Sequence, residues 1–334
     1  MAAEQDVQTM LDTNAQTKPG DADASPPPVF LVGSERSGTT LLRLMLDRHP
    51  QVTWCKEFEF VVDPLREGKT PTIQQYAEYL QTSRIFQDAG FQLRTDLDYA
   101  GACRDFLEQR KQSDNKPFVG ATVHRHFASL LKVWPDARFI YLKRDGRDVA
   151  RSCIGMGWDG NVWTASKRWA DSVRSWHALR GQLDPSRYIE TSYETLISDA
   201  RGELTRLFDF IGPGFHEDVW DYHEGTTYSE PDPSLIAQWK RKLSPYQLGL
   251  VEARIAPLLE MQGYELSGHP PVKITPTREL RLKLQDRWAR LMYRWRNYGV
   301  LLSVGESLTK RTGPKPLHKR ILKNIHEKQN ALRR

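Results

Sequence analysis

The sequence predicts an α/β fold in which a central parallel sheet is flanked by helices on both sides. Short apolar runs near 29–34, 139–142 and 187–197 alternate with longer stretches whose apolar residues recur at helical spacing. Each apolar run leads directly into a helical stretch, which is the order of a strand–loop–helix unit. Strands that alternate with helices favour a parallel sheet, because the helices supply the crossover connections.

The first unit begins with the run VFLVGS, which is continuously apolar and lies between a proline run and a glycine. Such a run is typical of a strand buried on both faces. The next stretch, TTLLRLMLDRH, predicts a helix with one apolar face. The residues of that face are Leu41, Leu42, Met45 and Leu46.

Two further units follow the same plan. In ARFIYLKRDGRDVARSCI, the apolar run Phe139 to Leu142 leads through Arg144-Asp145-Gly146 into a helical pattern. RYIETSYETLI predicts a third strand, again followed by a helix. The residues predicted for the buried face of that helix are Leu204, Leu207, Phe208 and Ile211.

Composition divides the chain into three parts. Residues 1–28 are polar and contain a Pro-Pro-Pro run, which predicts a disordered leader. The α/β units and two aromatic-rich helical stretches, at 163–180 and 244–264, predict one folded domain over 29–268. Residues 269–334 predict a basic, mostly helical tail.

Several protein classes are disfavoured by composition. The chain has 334 residues, 39% of them hydrophobic, which is enough for a large buried core. Its three cysteines, Cys55, Cys103 and Cys153, are far apart and lack CxxC spacing, so they indicate neither a disulfide framework nor a zinc site. The N-terminus lacks a signal-peptide pattern, and no apolar run is long enough to span a membrane. A soluble, cytoplasmic protein is expected.

The net charge of +6 is unevenly distributed. Residues 271–334 carry 17 Lys and Arg against 4 Asp and Glu, whereas residues 1–270 carry 31 against 38. The basic character of the chain therefore belongs to its tail.

The glycine-rich turn after the first strand indicates an anion site. Gly33 and Gly38 are spaced as in a phosphate-binding loop, but Thr39 and Thr40 stand where a nucleoside triphosphatase carries Lys and Ser or Thr. Such a turn presents backbone N–H groups at a helix N-terminus and so binds phosphate or sulfate. Arg36 adds a planar fork that suits two oxygens of one anion.

The strand predicted at 139–142 also ends in cations, Lys143 and Arg144, where a kinase would need an acidic residue for Mg²⁺. Two anion-binding strand ends in one sheet favour a bound anion over a strand–helix turn that holds no ligand.

These two motifs resemble those of sulfotransferases that use 3′-phosphoadenosine 5′-phosphosulfate (PAPS). GSERSGTTLLRLMLDRHP is similar to their 5′-phosphosulfate loop, and FIYLKRDGRDVARS is similar to their 3′-phosphate motif. The resemblance covers roughly residues 29–266. It implies a P-loop-like three-layer fold, PAPS as the donor substrate, and no need for a metal. The residues implied to bind PAPS are Arg36, Ser37, Gly38, Thr39, Thr40, Arg144 and Ser152, with Tyr193 against the adenine.

The resemblance also bears on catalysis. Arg36 is implied to act in catalysis, and the general base is implied to be either a glutamate after the first helix or a histidine on the next core strand. Glu57 has the spacing that tyrosylprotein sulfotransferases use for their catalytic glutamate and is the predicted base. Burial among Trp54, Phe58 and Phe60 would raise its pKa toward neutrality.

The alternatives for the base are Glu59, His124 and His126. Glu59 would share a face with Glu57 on an extended segment, and the two histidines stand in GATVHRHF. Tyrosylprotein sulfotransferases also use a lysine before the 3′-phosphate strand. Here Ala121 occupies that region and only Lys116 is near, which puts a peptide acceptor in doubt.

Two charged features near the motifs call for a role. Glu35 would repel a sulfate and is therefore expected to point outward. Lys240, Arg241 and Lys242 could close over the nucleotide or form a solvated charge run.

Carbohydrate, lipid, peptide and small alcohol all remain open as acceptors. The rival functions are a P-loop kinase and a non-catalytic nucleotide-binding scaffold.

In the tail, apolar residues at helical spacing from Leu280 to Leu302 alternate with arginines. A basic helix that carries tryptophan is typical of an element at an anionic membrane surface. Packing on the acidic body of the same chain is the alternative. No nucleic-acid motif accompanies the tail, so nucleic acid is not an expected partner.

Overall fold

The computed structural model describes residues 25–224, 226, 231–312, 317, 320–325 and 328. The first strand begins at Val29, where the sequence predicts that order starts. Most of the predicted leader, 1–28, lies outside the described residues.

A five-stranded parallel sheet forms the centre of the molecule, with strand order β2-β3-β1-β4-β5. Helices flank it, so the predicted α/β class is confirmed. The strands are β1 Val29–Val32, β2 Val52–Glu57, β3 Phe118–Val123, β4 Arg138–Lys143 and β5 Tyr188–Ser192.

The helices connect the strands and continue beyond the last one. They are α1 Thr39–Arg48, α2 Ile73–Leu80, α3 Arg84–Ala89, α4 Tyr99–Asp114, α5 Gly146–Gly155, α6 Val162–Arg180, α7 Tyr193–Ser198, α8 Ala200–Ile211, α9 Trp239–Lys242, α10 Pro245–Met261, α11 Pro276–Tyr298 and α12 Val300–Thr312. Among the described residues, none of these helices is both long and apolar enough to cross a membrane.

The central strand β1 is buried on both faces, as its continuous apolar run predicts. Phe30 and Val32 join one core, which is rich in aromatic side chains. Val29 and Leu31 join the other core, together with the apolar faces of α1 and α8. This division follows from the two-residue period of a strand.

The tail is anchored to the body through the first half of α11. Leu282 is buried in a third core formed with α5, α6 and α10. Asp286 accepts hydrogen bonds from the Gly160 N–H (2.7 Å) and the Thr164 hydroxyl (2.9 Å). Asn161 Nδ2 donates to the Leu282 carbonyl. Part of this helix therefore packs on the chain's own body.

The rest of the tail departs from the single helix that the apolar spacing predicts. The helix is interrupted at Gly299, whose φ is +89°. The predicted apolar face lies largely in solvent, since Leu284 is 54% and Trp288 62% exposed.

Candidate active site

The turn between β1 and α1 has the shape of an anion-binding loop. The Ser37 N–H donates to the Ser34 carbonyl (3.1 Å), and Arg36 and Gly38 both have positive φ, +69° and +94°. A Cβ at position 38 would lie 2.3 Å from the ring of Tyr193. Glycine is therefore required by both conformation and space, and α1 begins directly after it.

Arg36 lies against the helix that follows β4. Its Nε donates to Ser152 Oγ at 3.0 Å, and its guanidinium carbon lies 5.9 Å from the ring centroid of Trp158. The two predicted motifs, 116 positions apart in the chain, therefore meet at this hydrogen bond.

Arg144 leaves the end of β4 and packs on an aromatic ring. Its guanidinium carbon is 3.9 Å from the ring centroid of Tyr193, and it donates to the carbonyls of Arg36 (3.2 Å) and Leu235 (3.1 Å). The Trp169 indole donates to the Arg144 carbonyl (2.9 Å). Tyr193 is thus both a core residue and a wall of the site, and its burial raises the pKa of its phenol.

These residues enclose a cavity of about 330 Å³, which we call the donor cavity. Seven of the eight predicted binding residues line it; Ser37 does not and is buried beneath the turn. Ser37 Oγ, Arg144 Nε and Arg151 Nε are buried and have no hydrogen-bond partner among the residues that the structure describes. Unsatisfied donors beside three arginines suit a ligand with anionic oxygens. The lining residues predicted from the sequence are Arg36, Gly38, Thr39, Thr40, Arg144, Ser152 and Tyr193.

Sequence reasoning missed part of this cavity. Arg151 lines it and donates to Gln238, and the segment 231–238 closes one side. Arg151 stands seven positions after Arg144, a helical spacing that could have signalled its presence. The segment 231–238 carries no motif. Of the neighbouring basic run, Lys240, Arg241 and Lys242 are exposed and do not line the cavity.

A hydrogen-bonded line of three side chains runs beside the anion-binding turn. Glu59 Oε1 accepts from the His124 backbone N–H (3.0 Å) and lies 2.7 Å from His124 Nδ1. His124 Nε2 lies 3.1 Å from Thr39 Oγ1. Because the Glu59 carboxylate can only accept, it favours the proton on Nδ1 and leaves Nε2 as the basic nitrogen of the neutral ring.

The His124 side chain is only 8% exposed. Burial by itself lowers the pKa of His124, but the charge of Glu59 and its hydrogen bond outweigh burial, and Glu35 and Glu57 add to the effect. The pKa of His124 is therefore raised above its ordinary value.

The expectation that Glu57 and Glu59 share a face is wrong. The register of β2 against β3 shifts between Cys55 and Glu57, and β2 ends there. Glu57 is exposed at the strand end, so the expected burial among Trp54, Phe58 and Phe60 is not present. Glu59 opens a short 3₁₀ turn and is buried.

Two other predicted charges have clear positions. Glu35 is only partly exposed and lies 3.3 Å from Arg168 and 3.9 Å from Arg125, so its charge is compensated rather than directed into solvent alone. Lys116 donates to the carbonyls of Asp47 and Val52. It precedes the start of β3, whereas the donor cavity lies at the carboxyl ends of β1 and β4.

A parallel α/β sheet with two cationic, hydroxyl-bearing strand ends around one cavity defines a P-loop-like, anion-binding protein. The model of the sulfotransferase family matches residues 27–217 of the chain. The chain belongs to the sulfotransferase family. The enzyme class predicted from the sequence, a PAPS-dependent sulfotransferase, is confirmed, in place of a P-loop kinase or a non-catalytic scaffold.

Curated relatives carry the same family name. The chain is 23% identical over 273 residues to a protein-tyrosine sulfotransferase of Drosophila melanogaster, covering 73% of this chain but only 53% of that protein. It is 24% identical over 312 residues to the omega-hydroxy-beta-dihydromenaquinone-9 sulfotransferase Stf3 of Mycobacterium tuberculosis, covering 75% of this chain and 78% of that protein. The chain thus spans about half of the fly protein.

Among solved structures, the sulfotransferase domain of the Synechococcus PCC 7002 olefin synthase aligns with a TM-score of 0.56 at 21% identity. The alignment covers 74% of this chain and 98% of that domain. The sulfotransferase domain of the curacin biosynthetic pathway aligns with a TM-score of 0.54 at 18% identity, covering 72% and 99%. These likenesses confirm the fold.

Proposed function

We propose that this chain transfers a sulfuryl group from PAPS, bound in the donor cavity, to an acceptor hydroxyl. The observation that carries the proposal is the convergence of both predicted motifs on one cationic cavity. Arg36, Thr39 and Thr40 with the turn amides would hold the 5′-phosphosulfate. Arg144 and Ser152 would hold the 3′-phosphate, and Arg151 is a further cation for it. Tyr193 would contact the adenine.

We propose His124 as the general base and Glu59 as the residue that positions it. Thr39 belongs to the anion-binding turn, so the His124 Nε2 that contacts it stands next to the proposed sulfuryl site. The acceptor oxygen forms a bond to sulfur as the bond from sulfur to the bridging phosphate oxygen breaks. The acceptor proton goes to Nε2, and the electron pair of the broken bond stays on the phosphate of 3′,5′-ADP.

Arg36 would stabilise the charge that develops on the sulfuryl and bridging oxygens. Within the part of the chain that the structure describes, its guanidinium makes one hydrogen bond, to Ser152, so the remaining N–H groups are available for the anion. Arg36 thus links the two halves of the proposed donor site, through Ser152 and through Arg144, which donates to its carbonyl.

Glu57 is the alternative base that the sequence favours. The proposal for His124 is tested against it with two variants of the native chain. We expect His124→Ala to lower sulfuryl transfer about 100-fold or more, a typical share for a general base, while 3′,5′-ADP binding stays within twofold. Glu57→Gln should retain most turnover. The opposite pattern, with Glu57→Gln inactive and His124→Ala active, would return the role to Glu57.

The acceptor class is a hydroxyl. The relatives named above act on protein tyrosine and on an omega-hydroxylated menaquinone, according to their names, and both acceptors are hydroxyl groups. An oxygen acceptor with one proton to lose matches a single base at Nε2.

The tail is proposed to hold the enzyme at the surface of an anionic membrane, as a peripheral cytoplasmic protein. Four side chains spaced four positions apart on α11 form an exposed apolar stripe, and arginines flank it. This arrangement is typical of an interfacial helix. The stripe consists of Leu280, Leu284, Trp288 and Met292.

Vesicle pelleting tests the membrane proposal. We expect Trp288→Glu in the full chain to weaken pelleting with phosphatidylserine vesicles about tenfold. The variant replaces an apolar side chain that the membrane would bury with a carboxylate, which the anionic lipid repels. Tyr246→Glu is the control, since Tyr246 is similarly exposed on the body. Equal pelleting of both variants and the native chain would overturn this role.

A further inference from the structure

A second cavity, of about 650 Å³, lies between the tail helices and the loop that follows α5. Residues 155–158 form one wall, and α11, α12 and the helical segment 320–325 form the others. We call it the tail cavity. It is about twice the size of the donor cavity and shares no lining residue with it.

The wall formed by α11 is held in place by close packing on the loop that follows α5. A Cβ on Gly157 would lie 2.3 Å from the ring of Tyr293, and one on Gly160 would lie 2.7 Å from Ala289 Cβ. Gly157 also has a φ of +67°. These two glycines allow α11 to approach the loop, and Asp286 is hydrogen-bonded to the Gly160 N–H in the same region. The cavity is thus part of the folded domain.

The walls combine positive charge with apolar and aromatic surface. Arg287, Arg290 and Arg294 line the cavity, and Glu306 is the one carboxylate among its described lining residues. Arg294 is paired with Glu306, and Arg290 lies 3.3 Å from Asp286. Arg287 has no ion-pair partner among the described residues, so the cavity carries uncompensated positive charge.

The apolar part of the wall is formed by aromatic and aliphatic side chains. Such a surface suits a hydrocarbon chain or ring system. The main contributors are Met156, Trp158, Tyr293, Tyr298, Leu322 and Ile325.

Trp158 connects the tail cavity with the reacting centre. It lines the cavity, and its ring centroid lies 5.9 Å from the guanidinium carbon of Arg36 and 5.7 Å from that of Arg168. Gly155, at the end of α5, is also a wall residue, and the same helix carries Ser152, the partner of Arg36. An acceptor seated against Trp158 would therefore lie beside the proposed sulfuryl group.

We infer that the tail cavity is the acceptor subsite and that it selects an anionic amphiphile: an apolar body with a hydroxyl at one end and a carboxylate or phosphate at the other. Arg287 and Arg290 take the anionic end, Trp158 and Tyr293 take the apolar body, and the hydroxyl points toward Arg36. This inference rests on the proposed function, because the cavity is assigned by its position beside the donor site.

The test uses two probes with the same chain length and the same hydroxyl, ω-hydroxydodecanoate and dodecane-α,ω-diol. Binding of each to the full chain saturated with 3′,5′-ADP is measured by calorimetry, and transfer of labelled sulfuryl from PAPS is measured in parallel. We expect the carboxylate probe to bind at least about fivefold more tightly than the diol, as charged hydrogen bonds outweigh neutral ones.

Charge reversal in the cavity should remove this preference. Arg287→Glu is expected to weaken ω-hydroxydodecanoate at least about fivefold and to leave the diol within twofold. Arg281→Glu makes the same charge change on an exposed position of the same helix that does not line the cavity, and it should behave as the native chain.

Equal binding of the two probes, no binding of either, or the same response in both variants would overturn the assignment of the tail cavity. These results leave the proposed function standing if 3′,5′-ADP still binds. Failure of 3′,5′-ADP to bind the native chain would instead remove the proposed function and, with it, the acceptor assignment.

Discussion

A methyl group at position 38 would lie 2.3 Å from the ring of Tyr193, on a backbone with a φ of +94°. We expect Gly38→Ala to lower the free energy of unfolding by about 2–4 kcal/mol, from strain and displacement of the ring, and to weaken 3′,5′-ADP binding, since Arg144 packs on that ring. Chemical denaturation and calorimetry measure the two effects.

Gly90→Ala is the matched control for this prediction. Gly90 also has a positive φ, +76°, but a Cβ there would meet none of the described residues within 4 Å. It should therefore cost only the backbone strain, about 1 kcal/mol, and leave 3′,5′-ADP binding unchanged. Similar losses of stability and binding in both variants would show that contact with Tyr193 is unimportant.

The raised pKa of His124 leads to a second prediction, on the pH dependence of kcat/KM. A base with a raised pKa must lose its proton before it can act, so kcat/KM should rise with pH through a value above the ordinary histidine value. Glu59→Gln removes the charge that raises this pKa, and the rise should move to lower pH. The pH profile of sulfuryl transfer measures the shift. A profile that does not move would show that another group titrates.

The positions of Glu57 and Glu59 explain why reasoning from the sequence alone selects Glu57 as the general base. Alternation along a strand predicts that Glu57 and Glu59 point the same way. The register shift before Glu57 and the 3₁₀ turn at Glu59 break this alternation. The Glu59–His124 contact joins residues 65 positions apart, through the pairing of β2 with β3, and no local pattern reports such a contact.

Among the elements, α5 and α9 are linked by a buried carboxylate. Asp148 Oδ1 accepts from the Trp239 N–H at 2.7 Å, and burial raises the pKa of Asp148 to about 6. The folded state then holds a proton that the unfolded chain has lost, so this residue makes the protein less stable as pH rises from about 4 to about 6.

Asp148→Asn tests this linkage. The difference in free energy of unfolding between the variant and the native chain should grow by about 2–3 kcal/mol over that range, in favour of the variant. Denaturation at a series of pH values measures it. If the two curves run parallel, Asp148 does not titrate in this interval.

The junction of α11 with the body gives a second prediction for elements. Gly157→Ala would force Tyr293 away from the loop, so we expect faster amide exchange across 276–298 and weaker acceptor turnover with unchanged 3′,5′-ADP binding. Gly214→Ala is the control, since Gly214 also has a positive φ, +74°, does not line the tail cavity, and a Cβ there would meet none of the described residues within 4 Å; it should leave both unchanged. Equal amide exchange in the two variants would contradict tight docking of α11.

Local patterns account for most of the elements that could be predicted. The strand–loop–helix units at β1, β4 and β5 are contiguous in sequence, and their donor residues follow from spacing within each unit. The segment 231–238 enters the donor cavity through tertiary packing, which no spacing reports, whereas Arg151 follows Arg144 at a helical spacing. In α11 the apolar period predicts a helix correctly, but the period cannot tell which side is buried. Leu282 and Asp286 face the body, whereas the apolar stripe that contains Trp288 is exposed.

At the scale of the whole molecule, the charge division has a structural counterpart. The acidic body carries the donor cavity, where cations are concentrated at two strand ends, and the basic tail borders the tail cavity. The two sites meet near Trp158 and Arg36. A sulfotransferase needs a donor and an acceptor in line, and this arrangement would bring them together near Trp158 and Arg36.

The most direct test of this account is the calorimetric affinity of the native chain for 3′,5′-ADP and for ATP with Mg²⁺, repeated on Arg144→Ala. Lys242→Ala is the control, since Lys242 is exposed and does not line the donor cavity. The account predicts a clear preference for 3′,5′-ADP that falls at least about tenfold in Arg144→Ala and persists in Lys242→Ala. A preference for ATP with Mg²⁺, or an affinity for 3′,5′-ADP that Arg144→Ala leaves unchanged, would contradict it.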